Sequence, residues 1–324
     1  MAVSVTGSFN TNPAYTTRFI PTLWSGKLNV KFYATTLFGE IANTAYEGEI
    51  KSMGDKVVIN NIPTITINTY VVGQTLSYEV PAPSIIELVI DKAKYFGVNV
   101  SDVLEYQSQP NLMDMFTSDA AKQMAISIDR DVLLGTFDQC HASNKGATAG
   151  VISGAYDLGT DAAPLVLTAS NVLQVFTALA SVLDEQNVPE TDRWLAITPY
   201  VRQLLMSSSL AQAYVTGDPS SILRNGKIGT IDRFTLYVSN LLPSADTDED
   251  FAGDAEGGTQ KRTAIMAGHK TAITFASQIA KVESLQNPND FGTLVRGLNI
   301  YGYEVIKPEA LALALYSTDG SATT

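Results

Sequence analysis

The sequence predicts an α+β protein of two packed units, or one large unit with insertions, carrying extended pieces. Three observations lead there. Apolar residues from Leu112 to Val132 recur every four positions and mark one long helix. Residues 56–90 are strand-like, and Thr64-Ile65-Thr66-Ile67-Asn68-Thr69-Tyr70 alternates with a period of two. Beyond a small-residue stretch at 143–164, helix and strand patterns alternate as in an α/β unit.

The elements follow in chain order. Residues 1–20 are rich in Thr, Asn and Ser, with Pro13 and Pro21 beside them, and read as an extended arm. Leu23, Trp24, Leu28, Phe32 and Phe38 then show a loose helical spacing. Two readings stay open there: an amphipathic helix packed on its own domain, or an arm that docks on a neighbour. Lys56-Val57-Val58-Ile59-Asn60 is β-rich, Asn60, Asn61 and Pro63 punctuate, Gly73-Gln74 mark a turn, and Pro81 and Pro83 precede Ile85–Ile90. Small polar residues line one face of the Thr/Ile stretch, so its sheet is expected to be covered on one side only. A long two-stranded ribbon does not hold itself together in water, so a ribbon projecting from the body needs something to lie on.

The helix is expected over about 111–140. Asn111 follows Pro110 and can cap it, and Asp114 and Asp119 sit near its amino end, where the helix dipole favours anions. About thirty residues at 1.5 Å each make a rod of ~45 Å. Its spacing of four drifts off a heptad seam, which favours a single helix lying across a sheet over a coiled coil. In the second unit, Thr168-Ala-Ser-Asn171 opens a helix with Val172, Val175, Phe176, Leu179, Val182 and Leu183 apolar. Trp194–Thr198 is a short buried strand, and Pro199 sits in the first turn of a helix through Leu205. Phe234–Val238, 263–267 and 271–275 read as further strands. Residues 244–262, with Asp246, Asp248, Glu249, Asp250, Asp254 and Glu256, read as a solvated loop; calcium is the sharper alternative, but the spacing of an EF-hand is missing. From Ile279 to Tyr316 the chain is β-like, turning at Asn287–Asp290, with Val295, Gly297, Asn299, Tyr301 and Tyr303 on one face and Arg296, Leu298 and Ile300 on the other. The tail, 317–324, is expected to fray.

Composition sets limits on function. Hydrophobic residues make up 45% of the 324 residues and charged residues only 17%, against about 25% for an average soluble domain. No uninterrupted apolar run approaches the ~18 residues of a membrane span. Charge is depleted at the centres of protein interfaces, so a chain this poor in charge is expected to pack against copies of itself. The net charge of −12 argues against strong sequence-independent binding to a phosphate backbone. Cys140 is the only cysteine, which excludes an intrachain disulfide and a cysteine-rich zinc site; it reads as a small buried hydrophobe. The amino terminus has no charged side chain before Arg18 and no apolar core of a secretory signal, so synthesis in the cytoplasm is expected.

Enzyme chemistry finds no foothold. GxxxxGK[ST], GxGxxG after a strand, GxSxG and HExxH are all missing. His141 and His269 lie far apart with no third ligand implied, and read as surface or hydrogen-bonded histidines. Thr216-Gly-Asp-Pro-Ser-Ser221 is turn chemistry, not a serine nucleophile. Acidic residues are plentiful, but nothing singles out a catalytic carboxylate pair. No catalytic residue, cofactor or metal is expected. What stands out is shape: a thin arm, a ribbon needing support, a long helix and a compact α/β unit.

These features, in this order, resemble the major capsid proteins of tailed bacteriophages, the Hong Kong 97-type fold. The residues that carry the resemblance run along almost the whole chain: Trp24-Ser-Gly-Lys-Leu28, Tyr46-Glu-Gly-Glu-Ile50, Gly54-Asp-Lys-Val57, Val71-Val-Gly-Gln74, Ile90-Asp-Lys-Ala-Lys-Tyr-Phe96, Ile128-Asp-Arg-Asp131 and Phe291-Gly-Thr-Leu-Val-Arg-Gly-Leu-Asn-Ile-Tyr-Gly302. The resemblance implies an amino-terminal arm (1–45), an extended hairpin loop (46–92), a peripheral domain with the spine helix (93–165 and 279–318) and an axial α/β domain (166–278). It implies a virion shell of pentamers and hexamers, assembled in the host cytoplasm, in which each hairpin lies over an adjacent subunit. Contacts between subunits are expected at Trp24, Phe32, Lys56, Ile65, Ile67, Tyr70, Gln74 and Tyr78. The expected partners are other copies of the chain, a separate scaffolding protein, a portal protein at one vertex, a decoration protein and packaged DNA through weak contact only. Lys51 and Lys56 lie where some members form isopeptide crosslinks, but no residue pattern here justifies one. Three other readings are an encapsulin-like compartment, told apart by nucleic acid in the particles; another phage structural protein, told apart by particle geometry; and a cytoplasmic hydrolase, which predicts a small oligomer with a pocket.

Overall fold

The computed structural model describes residues 34, 36–45, 56–61, 63, 65–76, 78–81, 84–101, 112–208, 230–244, 262–288 and 291–317. Trp24, Phe32, Asn111, the Thr216–Ser221 turn and the acidic residues from Asp246 to Glu256 lie outside them.

Three sheets organise the described chain. The first is a two-stranded ladder of β1 (Lys56–Asn61) and β2 (Ser84–Val89), antiparallel, with Lys56 opposite Val89 and Asn61 opposite Ser84. The second is three-stranded and antiparallel, in the order β3 (Lys92–Ser101), β10 (Gly292–Val305), β9 (Ile273–Gln286). Its register shifts at Ile300/Tyr301, where β9 carries an extra residue. The third is a mixed sheet of six strands. It runs β4 (Leu165–Val166), β11 (Leu311–Ser317), β8 (Arg262–His269), β5 (Arg193–Ile197), β7 (Phe234–Val238), β6 (Thr230–Ile231).

Two short connections carry the chain directly between strands of the two larger sheets. β8 leads into β9 through Lys270–Ala272, and β10 leads into β11 through Ile306–Ala310. The crossings touch: the backbone N–H of Ile306 donates to the carbonyl of Ala272 at 2.8 Å.

The terminal strand corrects an expectation. The reading placed all of 279–318 with the peripheral sheet, but β11 pairs with β8 and β4 in the six-stranded sheet. The reason is in its composition. Leu-Ala-Leu-Ala-Leu-Tyr is apolar on both faces, and every residue of β11 is buried, which calls for a central place in a sheet covered on both sides. β8 and β5 are likewise buried throughout. The helix α3 (Val172–Glu185) packs on β11, burying Val172, Val175, Phe176, Leu179, Val182 and Leu183, the apolar set expected of it. Pro199 opens the helix α4 (Pro199–Met206), where Thr198 Oγ1 accepts from the N–H of Val201.

The spine helix α2 spans Leu112–Thr136, 25 residues or ~37 Å, and lies against β3 and β10. It stops short of the expected 140: Phe137 still bonds back to the carbonyl of Leu133 at 3.2 Å, after which the chain turns at Phe137 and Asp138 and buries Cys140. The stripe is buried unevenly. Ile128, Val132 and Leu133 are in the core, whereas Met115 and Phe116 near the other end are exposed. A short helix α1 (Phe38–Ile41) precedes the hairpin.

Candidate functional site

The largest departure from the expected pattern lies beyond the β1–β2 ladder. Residues 65–70 were expected as a strand. Among the described residues of 65–76 and 78–81 there is no ladder, and every one is exposed. Among these residues the N–H of Gln74 donates to the carbonyl of Val71 at 3.0 Å and closes a turn, with Gly73 at φ +90°, and the N–H of Thr66 donates to Glu79 Oε2 at 3.2 Å. A period of two describes extended backbone, but a ladder also needs a second strand, and the described residues do not provide one there.

The side chains on this extension are apolar and open to water. Ile67 is 90% exposed, Tyr78 87% and Val80 91%. Ile65, Tyr70, Val71, Val72 and Leu76 are exposed as well. Scattered exposed hydrophobes are ordinary, but a contiguous set of this size marks an interaction surface. Of the predicted contact residues, Ile65, Ile67, Tyr70, Gln74 and Tyr78 therefore share one exposed extension. Lys56 sits at its base, where its ammonium pairs with Glu87 across the ladder at 2.8 Å. Trp24 and Phe32 lie outside the described residues.

The base of the hairpin is anchored in the body. Leu88, Ile90 and Ala276 are buried together, with Val57, Ile59 and Ile300 packed on them. At Gly302 the backbone of β10 runs directly under Val89: a Cβ there would lie 2.2 Å from the Val89 carbonyl oxygen, so only glycine fits.

A second exposed apolar area was not anticipated as a site. On the face of the three-stranded sheet away from α2, Tyr95 is 82% exposed, and Leu298 and Leu285 are exposed too. Arg296 donates twice to Glu283 there, at 3.0 and 2.7 Å, and Lys281 pairs with the same carboxylate. Those two cations hold Glu283 below the usual carboxylate range. The period-two reading of β10 places Arg296 and Leu298 together, but does not show that the other described residues leave them open.

Titratable groups with unusual environments serve the fold. Burial pushes the Cys140 thiol up to about 12, which removes it as a nucleophile at neutral pH. His269 is held low by burial, and its Nδ1 meets Thr271 Oγ1 at 2.8 Å. Burial and the Asp131 carboxylate hold the Tyr301 hydroxyl in its protonated form, and it donates to Asp131 Oδ2 at 2.7 Å. Asp129, fully buried on α2, is pushed up to about 6 by desolvation, against two backbone N–H groups that lower it. Among the described residues no group of three or more His, Cys, Asp or Glu could hold a metal ion, and no helix is long and apolar enough to cross a membrane.

Comparison with known proteins agrees with this geometry. A family model described as phage capsid protein matches residues 86–314. A solved structure from Mycobacterium phage Che8 is 25% identical, with a TM-score of 0.72, covering 92% of this chain and 97% of that one. The capsid of cyanophage P-SCSP1u is 18% identical with a TM-score of 0.69, covering 92% of each chain. The mature capsid of bacteriophage PhiM1 is 15% identical with a TM-score of 0.66, covering 92% of this chain and 91% of that one. No curated protein sequence matches.

Proposed function

The chain belongs to the phage capsid protein family, and from that premise we infer how its shell is held together. It is a major capsid protein of the Hong Kong 97-type fold, a structural component of the icosahedral shell of a tailed phage. We propose that copies associate as hexamers and pentamers in which the extension at 65–81 of each lies on the body of a neighbour. The carrying observation is that this extension is exposed, apolar and without a ladder among the described residues. Ile65, Ile67, Tyr70, Gln74 and Tyr78 would be covered in the contact, with Lys56 at its root and Trp24 and Phe32 contributing from the arm. The open face around Tyr95 and Leu298 supports a receiving surface on the body.

In this reading residues 1–45 are the arm, 46–92 the hairpin loop, 93–165 with β9 and β10 the peripheral domain, and 166–272 with β11 the axial domain; residues 273–278, expected in the axial domain, fall in β9 and go with the peripheral sheet because they pair with β10. Single contacts are weak enough for misplaced copies to leave. Closure makes later contacts intramolecular, and their number stabilises the whole. A separate scaffolding protein, a portal at one vertex and a decoration protein are the proposed partners during and after assembly in the host cytoplasm. The net charge of −12 supports only weak contact with the packaged DNA, and the role is structural rather than catalytic.

The test is to replace residues 65–76 by a short Gly-Ser link. The altered chain is expected to fold with normal thermal unfolding but to yield no stable shells under electron microscopy. Normal particles would remove the extension from its assigned role.

A further inference from the structure

The segment ahead of the hairpin touches three parts of the molecule at the place where the chain crosses between its two large sheets. Leu37, Ile41 and Ala42 are buried. On the helix side, the N–H of Leu37 donates to Asp129 Oδ2 at 3.0 Å and the N–H of Phe38 to Oδ1 at 2.8 Å. On the three-stranded side, Asn43 forms a bridge with Thr274: its N–H donates to Ile273 at 2.8 Å, and its carbonyl accepts from Phe275 at 3.1 Å. On the six-stranded side, the Glu40 carboxylate lies close enough to Tyr237 of β7 that, after burial, it helps push that hydroxyl's pKa up.

These contacts close a circuit. The Phe38 ring lies 4.9 Å from that of Phe275, and Phe275 lies 5.9 Å from Tyr301. The Tyr301 hydroxyl returns to α2 at Asp131. Asp129 and Asp131 thus hold the two ends of one aromatic row from the same helix. Ile273 and Phe275 are the first residues of β9 after the crossing, and the second crossing bonds to Ala272 beside them.

We propose that residues 37–43 are a clip, locked by Asp129, that holds the two large sheets at one angle and sets the point where the preceding chain joins the body. A carboxylate suits the lock because each of its oxygens accepts one N–H from the start of α1, where helical donors lack partners of their own. An amide could satisfy only one and would set a donor against the other. The inference stands on contacts within one chain and does not require the shell.

Hydrogen exchange of the full, unassembled chain tests it. In Asp129→Asn, amides of 37–43 are expected to exchange about tenfold faster or more. Amides of 270–276 and 303–310 should accelerate with them, while those of β8 and β11 keep their protection. Opening of 37–43 with 270–276 unchanged would reduce the clip to a local cap and overturn the proposal, as would uniform loosening of every segment. Tyr237→Phe cuts the six-stranded side without touching α2. It should speed exchange at 37–43 and 270–276 together, by a smaller factor; no change at 270–276 in that variant would also count against the clip.

Discussion

Gly302 lies beneath Val89 so closely that a single added methyl group would sit 2.2 Å from the Val89 carbonyl oxygen. β10 belongs to the three-stranded sheet and Val89 ends the hairpin ladder, so this contact sets how closely the hairpin's root lies on the body. Gly302→Ala should force the two backbones apart at an overpacking cost of about 1–3 kcal/mol. Urea unfolding of the variant measures it, and a Gly97→Ala control, where a Cβ meets nothing within 4 Å, should show a much smaller loss.

Tyr301 and Asp131 join β10 to the spine helix through one charge-assisted hydrogen bond. Tyr301→Phe keeps the ring stacked on Phe275 and removes only the hydroxyl. The expected destabilisation is about 1.5–3 kcal/mol by denaturant unfolding.

Asp129 gives the fold a pH dependence of definite sign. Its folded value, about 6, lies above the ordinary 3.8 because burial penalises the charge. The stability tied to its protonated form is complete below about pH 4 and is lost as pH rises through 6. The neighbouring carboxylate Asp131 is engaged with the Tyr301 hydroxyl. A loss on the order of 3 kcal/mol between pH 4 and 7 is expected from this group. Asp129→Asn cannot titrate, so the difference between wild type and variant should change across that window. A constant difference from pH 4 to 7 would contradict the assignment.

The exposed side chains of the extension should separate folding from assembly. Ile67→Asp changes a residue that is 90% exposed, so the unfolding free energy of the single chain should move by less than about 0.5 kcal/mol. Yield of assembled particles, measured by sedimentation, should fall sharply, because a charge would be buried against the neighbour.

Much of this architecture can be read from the residues. The four-residue spacing marks α2, the unbroken run Trp194–Ile197 marks a buried strand, and Pro199 marks a helix start, because each signal is local. The apolar side chains of the extension are visible in the same way, in the Thr/Ile alternation around Ile65 and Ile67. Long-range partnerships are not local. The pattern 64–70 specifies extended backbone but not whether a second strand exists within the chain. The run 311–316 shows that both faces are apolar but not which sheet receives it. Asp129 sits between Ile128 and Val132, and the local spacing does not show what its carboxylate meets. Only the fold brings Leu37 and Phe38 to it across 92 and 91 positions. Gly302 looks like any glycine in a strand until Val89 lies across it.

The account rests on an extension that is bare in one copy and covered in the shell. The most direct measurement compares amide protection at 65–76 in the dissociated chain and in purified particles. Rapid exchange in the dissociated chain and strong protection in closed particles is the predicted result. Equal protection in both states, with the extension folded onto its own body, would contradict the account.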